Sequence, residues 1–507
     1  EASVHFSAVH LSRCSEVDPH IVRPDFSKEP VQDRPFPVKR EEGISSYLDE
    51  YPDFNLEELL SESPVFTQGI ILRGNFSVHR QPGNSLADAV AAIPEEERDA
   101  LVAYLNTKDV QQNPSAKPSD VVIDFFEPLK RAGLHNEPPQ VQREWLEVNY
   151  PHLFEHLQSR SPHAPEQESV YEQRDKLDNP SRDKQAKAYW WLFGWPRREL
   201  RRSWEDVNHV VAFPIVTKIW SPLEIPKQIP IYDLSQALRI CPMHKLFIAP
   251  NFQREHFAVT SSFLFEMLVR RRCGTLGSGL NFSATDVLPF FPWPWVPKSN
   301  GCQLTIGKPS ESKKTSLSSA AGTLLDLRND ILKNPSAHGL KRQQVGGPTD
   351  LYNLYDADPD AEDPPRGSGS SAIEELRQAH VDLLDAVLRA YGWDDIAGDL
   401  GREDWTFDRP WLDRTQRFVP PEPVRAELFS RLDELNSERF ELEREMMIDL
   451  IAEHLPEDGL TKTDFREEEP FSEMPIDSDQ FEKFMEHEQE RMGDSRVRKE
   501  GYRWYST

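Results

Sequence analysis

The chain has 507 residues, of which 37% are hydrophobic, and a formal net charge of -27. This length allows two to four domains that each bury a core, which excludes a small scaffold held together by disulfides. No stretch approaches the ~18–20 uninterrupted apolar residues of a membrane helix, and no signal-like run opens the chain. We therefore expect a cytoplasmic protein without membrane contact.

The charge is distributed unevenly along the chain. Residues 181–300 hold 16 Lys and Arg against 9 Asp and Glu, a net charge of +7, whereas residues 421–500 hold 25 acids and 11 bases. Affinity for DNA depends on cations that neutralise phosphates, and the local potential matters more than the total charge. The basic middle of the chain is therefore compatible with nucleic-acid binding.

The N-terminal segment is expected to open with one or two strands, since ASVHFSAVHL alternates apolar and polar residues. Because the chain starts at Glu1 without an initiating Met, we interpret it as part of a longer protein. A new domain is expected to begin with FTQGIILRGNFSVH, which has strand-like content with Gly69 and Gly74 as breakers.

Residues 65–300 have the pattern of a mixed α/β domain. Helical spacing in LADAVAAIPEEERDALVAYL and in residues 141–157 alternates with the strand-like runs VVIDFF, VVAFPIV, IPIYDL and LFIA. A further helix, SSFLFEMLVRRR, is predicted to end at Gly274.

The last third of the chain is predicted to be helical. Residues 307–322 and 357–371 are rich in Pro, Gly, Ser and charge, which predicts two flexible joints. The segment IEELRQAHVDLLDAVLRAYGW has one apolar face, and a second helix over residues 426–455 is predicted to pack against it. The near-heptad positions of that second helix are Leu428, Leu432, Leu435, Leu442, Met446 and Leu450. The last ~45 residues are acidic and poor in apolar side chains, which favours disorder or a fold that depends on a partner.

Metal ligation is not expected. The four cysteines form no C-x-x-C pair, which fits a reducing compartment. His152 and His156 have the spacing of zinc ligands on a helix, but no Glu follows the first. Cys241, His244 and Cys273 could bind a metal only if the fold brings them together, and we expect buried thiols instead.

Two arginine clusters could bind phosphates. The first, spaced at i, i+1, i+4 and i+5 beside Trp190, Trp191 and Trp195, consists of Arg197, Arg198, Arg201 and Arg202. This spacing is equally typical of a solvated helix face against an aromatic core. The second cluster consists of Arg270, Arg271 and Arg272. It ends a helix, where cations are favoured in any case, and precedes the glycine-rich loop GTLGSGLNFSATD.

The segment VRRRCGTLGSGLNFSATDVLPFFPWPW resembles the end of the target recognition domain in type IIG and IIL restriction-modification enzymes. It is also similar to the adenine methyltransferases of BREX and DISARM phage defence. The shared features are a Gly-Ser-Thr-Leu-like turn at 274–276, an aromatic at Phe282, a Ser or Thr with Asp at 284–286, and Phe-Pro repeats at 291–294.

Other blocks resemble the same family in the same order. EASVHFSAVHL resembles a late strand of the methyltransferase sheet, and FTQGIILRGNFSVH resembles the opening of the recognition region. VAYLNTKDV and VVIDF resemble the blocks Tyr-Leu-Asn-Gly-x-Asp and Val-Ile-Asp-Phe, with Thr107 in place of the usual Gly. YWW at 189–191 resembles the block that precedes the base-reading strands, and LYNLYDA with the two long helices resembles the helical C-terminal region.

This resemblance implies a mixed α/β fold. Edge strands of a Rossmann-like methyltransferase sheet would be followed by an α+β target recognition domain and an α-helical C-terminal region with an acidic tail. The implied boundaries are 1–60 for the end of the methyltransferase domain, 61–305 for the recognition domain, 306–371 for linker segments, 372–456 for the helical domain and 457–507 for the tail.

The implied function is sequence-specific recognition of double-stranded DNA for methylation of adenine at N6. S-adenosylmethionine would be the methyl donor, and the target base would be flipped into a pocket on a catalytic part outside this chain. The sequence contains neither a glycine-rich cofactor loop after a strand nor an Asn-Pro-Pro-aromatic loop. No catalytic, cofactor-binding or metal-binding residue is therefore assigned.

The resemblance also implies which residues contact DNA. Family members contact bases from positions that match residues 277–281; Gly277 and Gly279 have no side chain, so Asn281 is the expected base reader, of adenine. The other candidates for DNA contacts are Ser278, Lys218, Arg239, Lys245 and both arginine clusters. Surface solubility is an equally good explanation for Lys218, Arg239 and Lys245.

Two other functions remain open at this point. The chain could be a stand-alone specificity or adaptor subunit that binds DNA and recruits a separate catalytic partner. It could instead be an interaction scaffold whose acidic helices and tail dock other phage-defence subunits, or cover the DNA-reading surface by resembling DNA.

Overall fold

The computed structural model describes residues 56–507 apart from short gaps at 62–63, 79–84, 114, 161–165, 180–182, 206, 231–236, 251, 277–278, 412–414, 468 and 492–494. Before residue 56 it describes only the backbone of three short strands, β1 (Ala8–Val9), β2 (His20–Pro24) and β3 (Val38–Glu42). They form an antiparallel sheet with β2 in the centre. Most of segment 1–60, with its assignment to the edge of a methyltransferase sheet, lies outside the described residues.

Helices and strands alternate through residues 61–305, so the expected mixed α/β class is confirmed. In chain order the elements are β4 (Thr67–Gln68), α1 (Leu86–Ala91), β5 (Leu101–Leu105), α2 (Thr107–Gln112), β6 (Asp120–Ile123), α3 (Phe126–Arg131), α4 (Pro139–Asn149), α5 (Pro151–Gln158), α6 (Val170–Asp175), α7 (Lys184–Ala188), α8 (Arg198–Ser203), β7 (His209–Pro214), β8 (Val216–Thr217), β9 (Leu223–Pro226), β10 (Gln228–Pro230), β11 (Ala237–Pro242), β12 (Leu246–Ala249), α9 (Arg254–Ser261), α10 (Phe263–Arg272), β13 (Thr275–Leu276), β14 (Gly279–Asn281), α11 (Ala284–Val287), β15 (Lys298–Asn300) and β16 (Gln303–Thr305). Two 3-10 helices accompany them, Glu95–Ala100 and Leu288–Phe290.

Three sheets of three or four strands organise this region, and β15 pairs with β16 in a separate two-stranded sheet. One has the strand order β10-β11-β5-β6, in which β11 runs parallel to β5. A second, antiparallel sheet has the order β4-β12-β7-β9, and a small third sheet has the order β13-β14-β8. The predicted strands VVIDFF and LFIA are confirmed as β6 and β12.

Two predictions in this region were wrong in detail. LVAYL was predicted to end a helix, but it forms β5, which is almost wholly buried inside its sheet. A short apolar run that is buried on both faces cannot be assigned to helix or strand by periodicity. The helix predicted over 141–157 is divided into α4 and α5 at Pro151, because proline has no N–H to continue the first helix.

The remainder of the chain is largely helical. Its elements are α12 (Glu311–Lys333), α13 (Pro348–Tyr355), α14 (Ser371–Tyr391), α15 (Asp394–Asp399), β17 (Thr406–Asp408), β18 (Arg417–Val419), α16 (Glu422–His454), α17 (Asp464–Glu467), α18 (Ser478–Gln489), β19 (Val497–Glu500) and β20 (Arg503–Ser506). Short 3-10 helices lie at Pro335–His338, Arg342–Gln344, Arg402–Asp404 and Phe471–Glu473.

The flexible joint predicted over 307–322 is instead the first half of α12, so this prediction was wrong. Its many Ser and Ala residues resemble a linker in composition, but Leu317, Ala321 and Leu324 lie on one buried face. Small side chains on that helix allow α14 to pack closely against it. The second joint, over 357–371, contains no helix or strand before α14 begins at Ser371, as predicted.

The two long C-terminal helices exist as predicted, but the partner of α14 was predicted wrongly. The main partner of α14 is α12. Only the first part of α16 shares its core, through Leu428 and Leu432, while Leu442 is 38% exposed. The last part of α16 packs against the segment that follows it.

That segment, residues 456–507, is folded where the structure describes it, so the expectation of disorder was wrong; we call it the C-terminal module. Its apolar residues are few but large, and Phe465, Phe471, Phe481 and Trp504 are each buried. They form one core with Met447, Ile448 and Ile451 of α16. Burial of a few large aromatic side chains therefore stabilises a folded core, although the average hydrophobicity of the segment is low.

In the part of the chain that the structure describes, no helix has the length and apolar character needed to cross a bilayer.

Candidate nucleic-acid interface

The glycine-rich loop after α10 forms a β-hairpin, β13-β14, and β14 also pairs with β8. Its base is fixed by Phe282, which is buried among aromatic rings, with Trp220 at 5.0 Å and Phe247 at 5.5 Å between ring centroids. Cys273 supports the same point, since its Sγ accepts a hydrogen bond from the Ser283 N–H at 3.4 Å. The hairpin is therefore held rigidly at its base.

Four exposed side chains lie on or beside this hairpin, and we call them the hairpin surface: Lys218, Lys245, Leu276 and Asn281. Asn281 pairs with Val216 across the small sheet, and Lys218 directly follows β8. Lys245 joins the group because its carbonyl accepts from the Ile215 N–H at 3.0 Å. Leu276 is 64% exposed. Gly277 and Ser278, the next two residues in sequence after Leu276, lie outside the described residues.

Lys218 is positioned by two arginines. Arg417 donates to the Lys218 carbonyl at 2.8 Å, and Arg270 donates to the same oxygen at 3.3 Å. The backbone of Lys218 is therefore fixed from α10 and from the helical region, while its side chain stays exposed.

The side chains of the arginine cluster at 270–272 make contacts within this fold, and their expected role in DNA contact stays a prediction. Arg270 forms an ion pair with Glu266 at 2.7 Å. Arg271 is buried, with its guanidinium 4.9 Å from the ring of Phe429. Arg272 donates from Nε to the Asp286 carbonyl at 2.5 Å, which caps the turn after the hairpin. These side chains tie α10 to its surroundings instead of facing solvent.

The first arginine cluster, at 197–202, does not form the predicted row of four guanidinium groups along one helix. Arg197 precedes α8 in a left-handed conformation with φ 49°, and donates to Gln68 Oε1 at 2.7 Å. Arg201 is turned inward and forms an ion pair with Asp124 at 2.7 Å. Although burial lowers the pKa of Arg201, the adjacent Asp124 carboxylate outweighs this and raises it. Arg198 and Arg202 remain exposed.

The three tryptophans beside this cluster are likewise divided between the core and the surface. Trp190 and Trp191 are buried in the core under β5 and β6. Trp195 is 39% exposed, with the Arg73 guanidinium 5.8 Å from its ring. Arg73, like Arg197, has a left-handed backbone, with φ 56°. Such conformations cost about 1–3 kcal/mol in a non-glycine residue and concentrate at functional sites. Arg73 also forms an ion pair with Asp183, and nothing in the sequence pattern marks a left-handed arginine.

Arg197 and Lys245 lie close to the imidazole of His244. The pKa of His244 is lowered by burial, and further by the charges of Lys245 and Arg197. The positive charges of Lys245 and Arg197 therefore both lie near His244. Arg239 lies at a different place in the fold: its guanidinium is 3.5 Å from Glu127 and lines a cavity beside α8, and its expected DNA contact stays a prediction.

The family-like blocks at 104–109 and 123–125 have structural roles. Asn106 caps α2 and accepts from the Asp109 N–H, while Asp109 accepts from the Asn106 N–H, each at 3.0 Å. Thr107, in place of the usual Gly, is simply the first residue of α2. From α2, Gln111 donates to the Val216 carbonyl at 2.8 Å, and so holds the strand that pairs with Asn281.

No group of His, Cys, Asp and Glu suited to a metal ion occurs among the described residues. His152 instead contacts Glu97 at 2.6 Å, which raises the pKa of its imidazole. His156 contacts the Ser77 carbonyl at 3.2 Å. Cys241 and Cys273 are buried thiols, and burial raises their pKa values to about 12 and about 11.

No family model and no curated protein matches the chain. Among solved structures, the chain is similar to the type IIL restriction-modification enzyme MmeI, which was solved in complex with DNA. The two share 15% sequence identity with a TM-score of 0.49, over 85% of this chain and 45% of that one. The chain thus spans less than half the length of that enzyme.

Proposed function

We propose that this chain binds duplex DNA through the hairpin surface and provides the sequence recognition of an adenine-N6 DNA methyltransferase. The observation that carries the proposal is the placement of Lys218, Lys245 and Asn281, which come from three separate parts of the sequence, around one rigid hairpin. The family-like motifs described above support the same conclusion from the sequence.

Each member of the hairpin surface has a chemistry that suits DNA. The ammonium groups of Lys218 and Lys245 can neutralise phosphates, which supplies sequence-independent affinity. Asn281 can donate to and accept from one adenine edge in the major groove, which supplies sequence discrimination. Leu276 can contact a thymine methyl group or a base step. Exposed Arg198 and Arg202 are candidates for further phosphate contacts on the flanking duplex.

Methyl transfer itself is assigned to a separate polypeptide segment. S-adenosylmethionine sites need a glycine-rich loop after a strand, and the glycine-rich loop of this chain, at 274–281, instead follows helix α10. Its backbone is used to form the hairpin. The residues present therefore do not fit this cofactor, and no step of the transfer is derived from them.

The proposal is tested by measuring binding of the chain to fluorescent duplexes at several salt concentrations. We expect the double variant Lys218→Gln/Lys245→Gln to weaken binding and to reduce the slope of log affinity against log salt by about 0.9 for each phosphate that is no longer neutralised. Lys314→Gln, which removes an exposed lysine on α12, is the matched control and should change neither quantity.

Two results would contradict the proposal. One is a chain that does not bind duplex DNA at low salt. The other is a double variant whose affinity and salt slope equal those of Lys314→Gln. A third result would favour the adaptor function. In that case the chain binds DNA, but no methylation follows when the catalytic segment of such an enzyme is added, so the chain serves a different partner.

A further inference from the structure

An open cavity of about 290 Å³ lies away from the hairpin surface, between α8 and the sheet β10-β11-β5-β6. This volume is close to the lower end of the ~300–1,000 Å³ that small-molecule sites occupy. Its apolar walls include Ile70, Val102, Leu200 and Ile240. The proposed DNA contacts use none of its lining residues.

Three residues that line this cavity carry buried nitrogen atoms without a hydrogen-bond partner: Nη2 of Arg201, Nη2 of Arg239 and Nε1 of Trp204. Buried donors are satisfied in most native structures, because an unmade hydrogen bond in a buried site is costly. Three such donors in residues that line one cavity point to a ligand that brings hydrogen-bond acceptors.

The cavity also offers an acceptor. The Glu127 carboxylate lies 3.5 Å from Arg239 and 3.8 Å from Arg201, distances that indicate ion pairing at longer range than a hydrogen bond. Its oxygens can therefore accept from a ligand N–H. The wall thus presents donors and an acceptor side by side, which matches a ring that has both on its edges.

Charge balance indicates that the ligand is neutral. The ionisable side chains of the wall comprise three bases and three acids: Arg201, Lys227, Arg239, Asp124, Glu127 and Glu205. An anion would leave one negative charge without a partner in a partly buried site, which is unfavourable. A neutral ring leaves the three positive and three negative charges of the wall balanced.

We propose that this cavity binds a neutral heteroaromatic molecule with two acceptors on one edge and N–H donors on another, as in a guanine-type nucleoside. An arginine side chain can donate two parallel hydrogen bonds to the O6 and N7 acceptors of guanine, and Arg239 does so here. Glu127 accepts from the ring N–H groups, and Trp204 with the apolar walls covers the ring. Because the unpartnered nitrogen atoms are shielded, the Arg239 side chain, which is one-third exposed, moves toward the ligand on binding.

The test is a titration of the full chain with guanosine, followed through the 15N-labelled indole groups, with Trp204→Phe used to assign the Trp204 resonance. We expect guanosine to shift that resonance in a saturable way. Arg239→Gln should weaken binding by roughly tenfold or more, since glutamine cannot reproduce the bidentate pair of hydrogen bonds to the ring. Arg143→Gln, an exposed arginine of α4 outside the cavity, is the matched control and should bind as the wild type does.

Three outcomes would overturn the proposal. The first is a Trp204 resonance that guanosine does not shift. The second is equal affinity in Arg239→Gln and Arg143→Gln. The third is displacement of guanosine by inorganic phosphate, which would make the cavity an anion site. Glu127→Gln provides a second variant that keeps the side-chain volume and should also weaken binding. DNA affinity measured on the same samples tests the hairpin surface separately.

Discussion

Glu443, near the middle of α16, binds the backbone of Ser61, which lies 382 residues earlier in the chain. Its carboxylate accepts from the Ser61 N–H at 3.0 Å, from the Ser61 hydroxyl at 2.6 Å and from the Leu60 N–H at 2.5 Å. Two turns earlier on the same helix, Asn436 accepts from the Glu57 N–H at 2.7 Å and donates to the Glu57 carbonyl at 3.0 Å. The long helix thus fixes the segment that leads into β4.

Replacement of this carboxylate should release that segment. We expect Glu443→Gln to destabilise the fold by about 1.5–3 kcal/mol, because the amide places its own donors beside the donors that the carboxylate satisfied. The Leu60 and Ser61 amides should also exchange hydrogen faster. Glu438→Gln, exposed on the same helix, is the control, and equal exchange in both variants would contradict this role of Glu443.

The C-terminal module should loosen in acid. Glu488, fully buried, accepts from Arg496 and Arg491, and the hydrogen bonds from Arg496 outweigh the opposing effect of burial and lower its pKa to about 2. A carboxyl with a depressed folded-state pKa stabilises the fold above its ordinary pKa, here 4.5, and this contribution disappears as the pH falls toward 2. The stability difference between wild type and Glu488→Gln, measured by urea unfolding, should therefore shrink between about pH 4.5 and 2. A difference that does not change with pH would rule out this linkage.

Arg198 and Arg201, three residues apart, should have opposite phenotypes. Arg201→Gln leaves Asp124, whose side chain is 4% exposed, as a buried charge without its partner, which should cost about 3–5 kcal/mol. The double variant Arg201→Gln/Asp124→Asn should recover part of this stability. Arg198→Gln should leave the unfolding free energy unchanged and weaken DNA binding. Calorimetry and duplex binding, measured on the same variants, distinguish the structural role of Arg201 from the DNA-contact role of Arg198. A reduced stability of Arg198→Gln would contradict this division.

Much of the secondary structure could be predicted from the sequence, because long periodic segments such as α14 and α16 carry a strong signal. Composition was misleading where few residues decide the outcome. Burial of Leu317 and Leu324 stabilises a helix in a segment that has the composition of a linker. Phe481 and Trp504 form part of a hydrophobic core in a segment that is acidic on average. Neither effect appears in averages over a window.

The candidate site was harder to predict than the fold, because the direction of a side chain depends on tertiary contacts. The spacing of Arg197 to Arg202 is that of one helix face, but Arg197 lies outside the helix and Arg201 is drawn inward by Asp124. Asp124 is distant in sequence, so no local pattern reveals this pair. Asn281 is expected to read bases only from the family resemblance of its loop, and this role stays a prediction for a residue that is exposed on β14.

Asn281 provides the sharpest test of sequence recognition. A single Asn that reads an adenine edge contributes about 1–3 kcal/mol of discrimination at one base pair, while phosphate contacts supply most of the affinity. We therefore expect Asn281→Ala to retain binding to a random duplex but to lose its preference at one position of a selected site, as measured by sequencing of bound fragments from a randomised pool. Asn208→Ala, exposed just before β7, is the control and should select the same site as the wild type. If Asn281→Ala also selects that site, the reading of bases must come from the hairpin tip or its neighbours, and Lys218 and Lys245 would keep their roles as phosphate contacts.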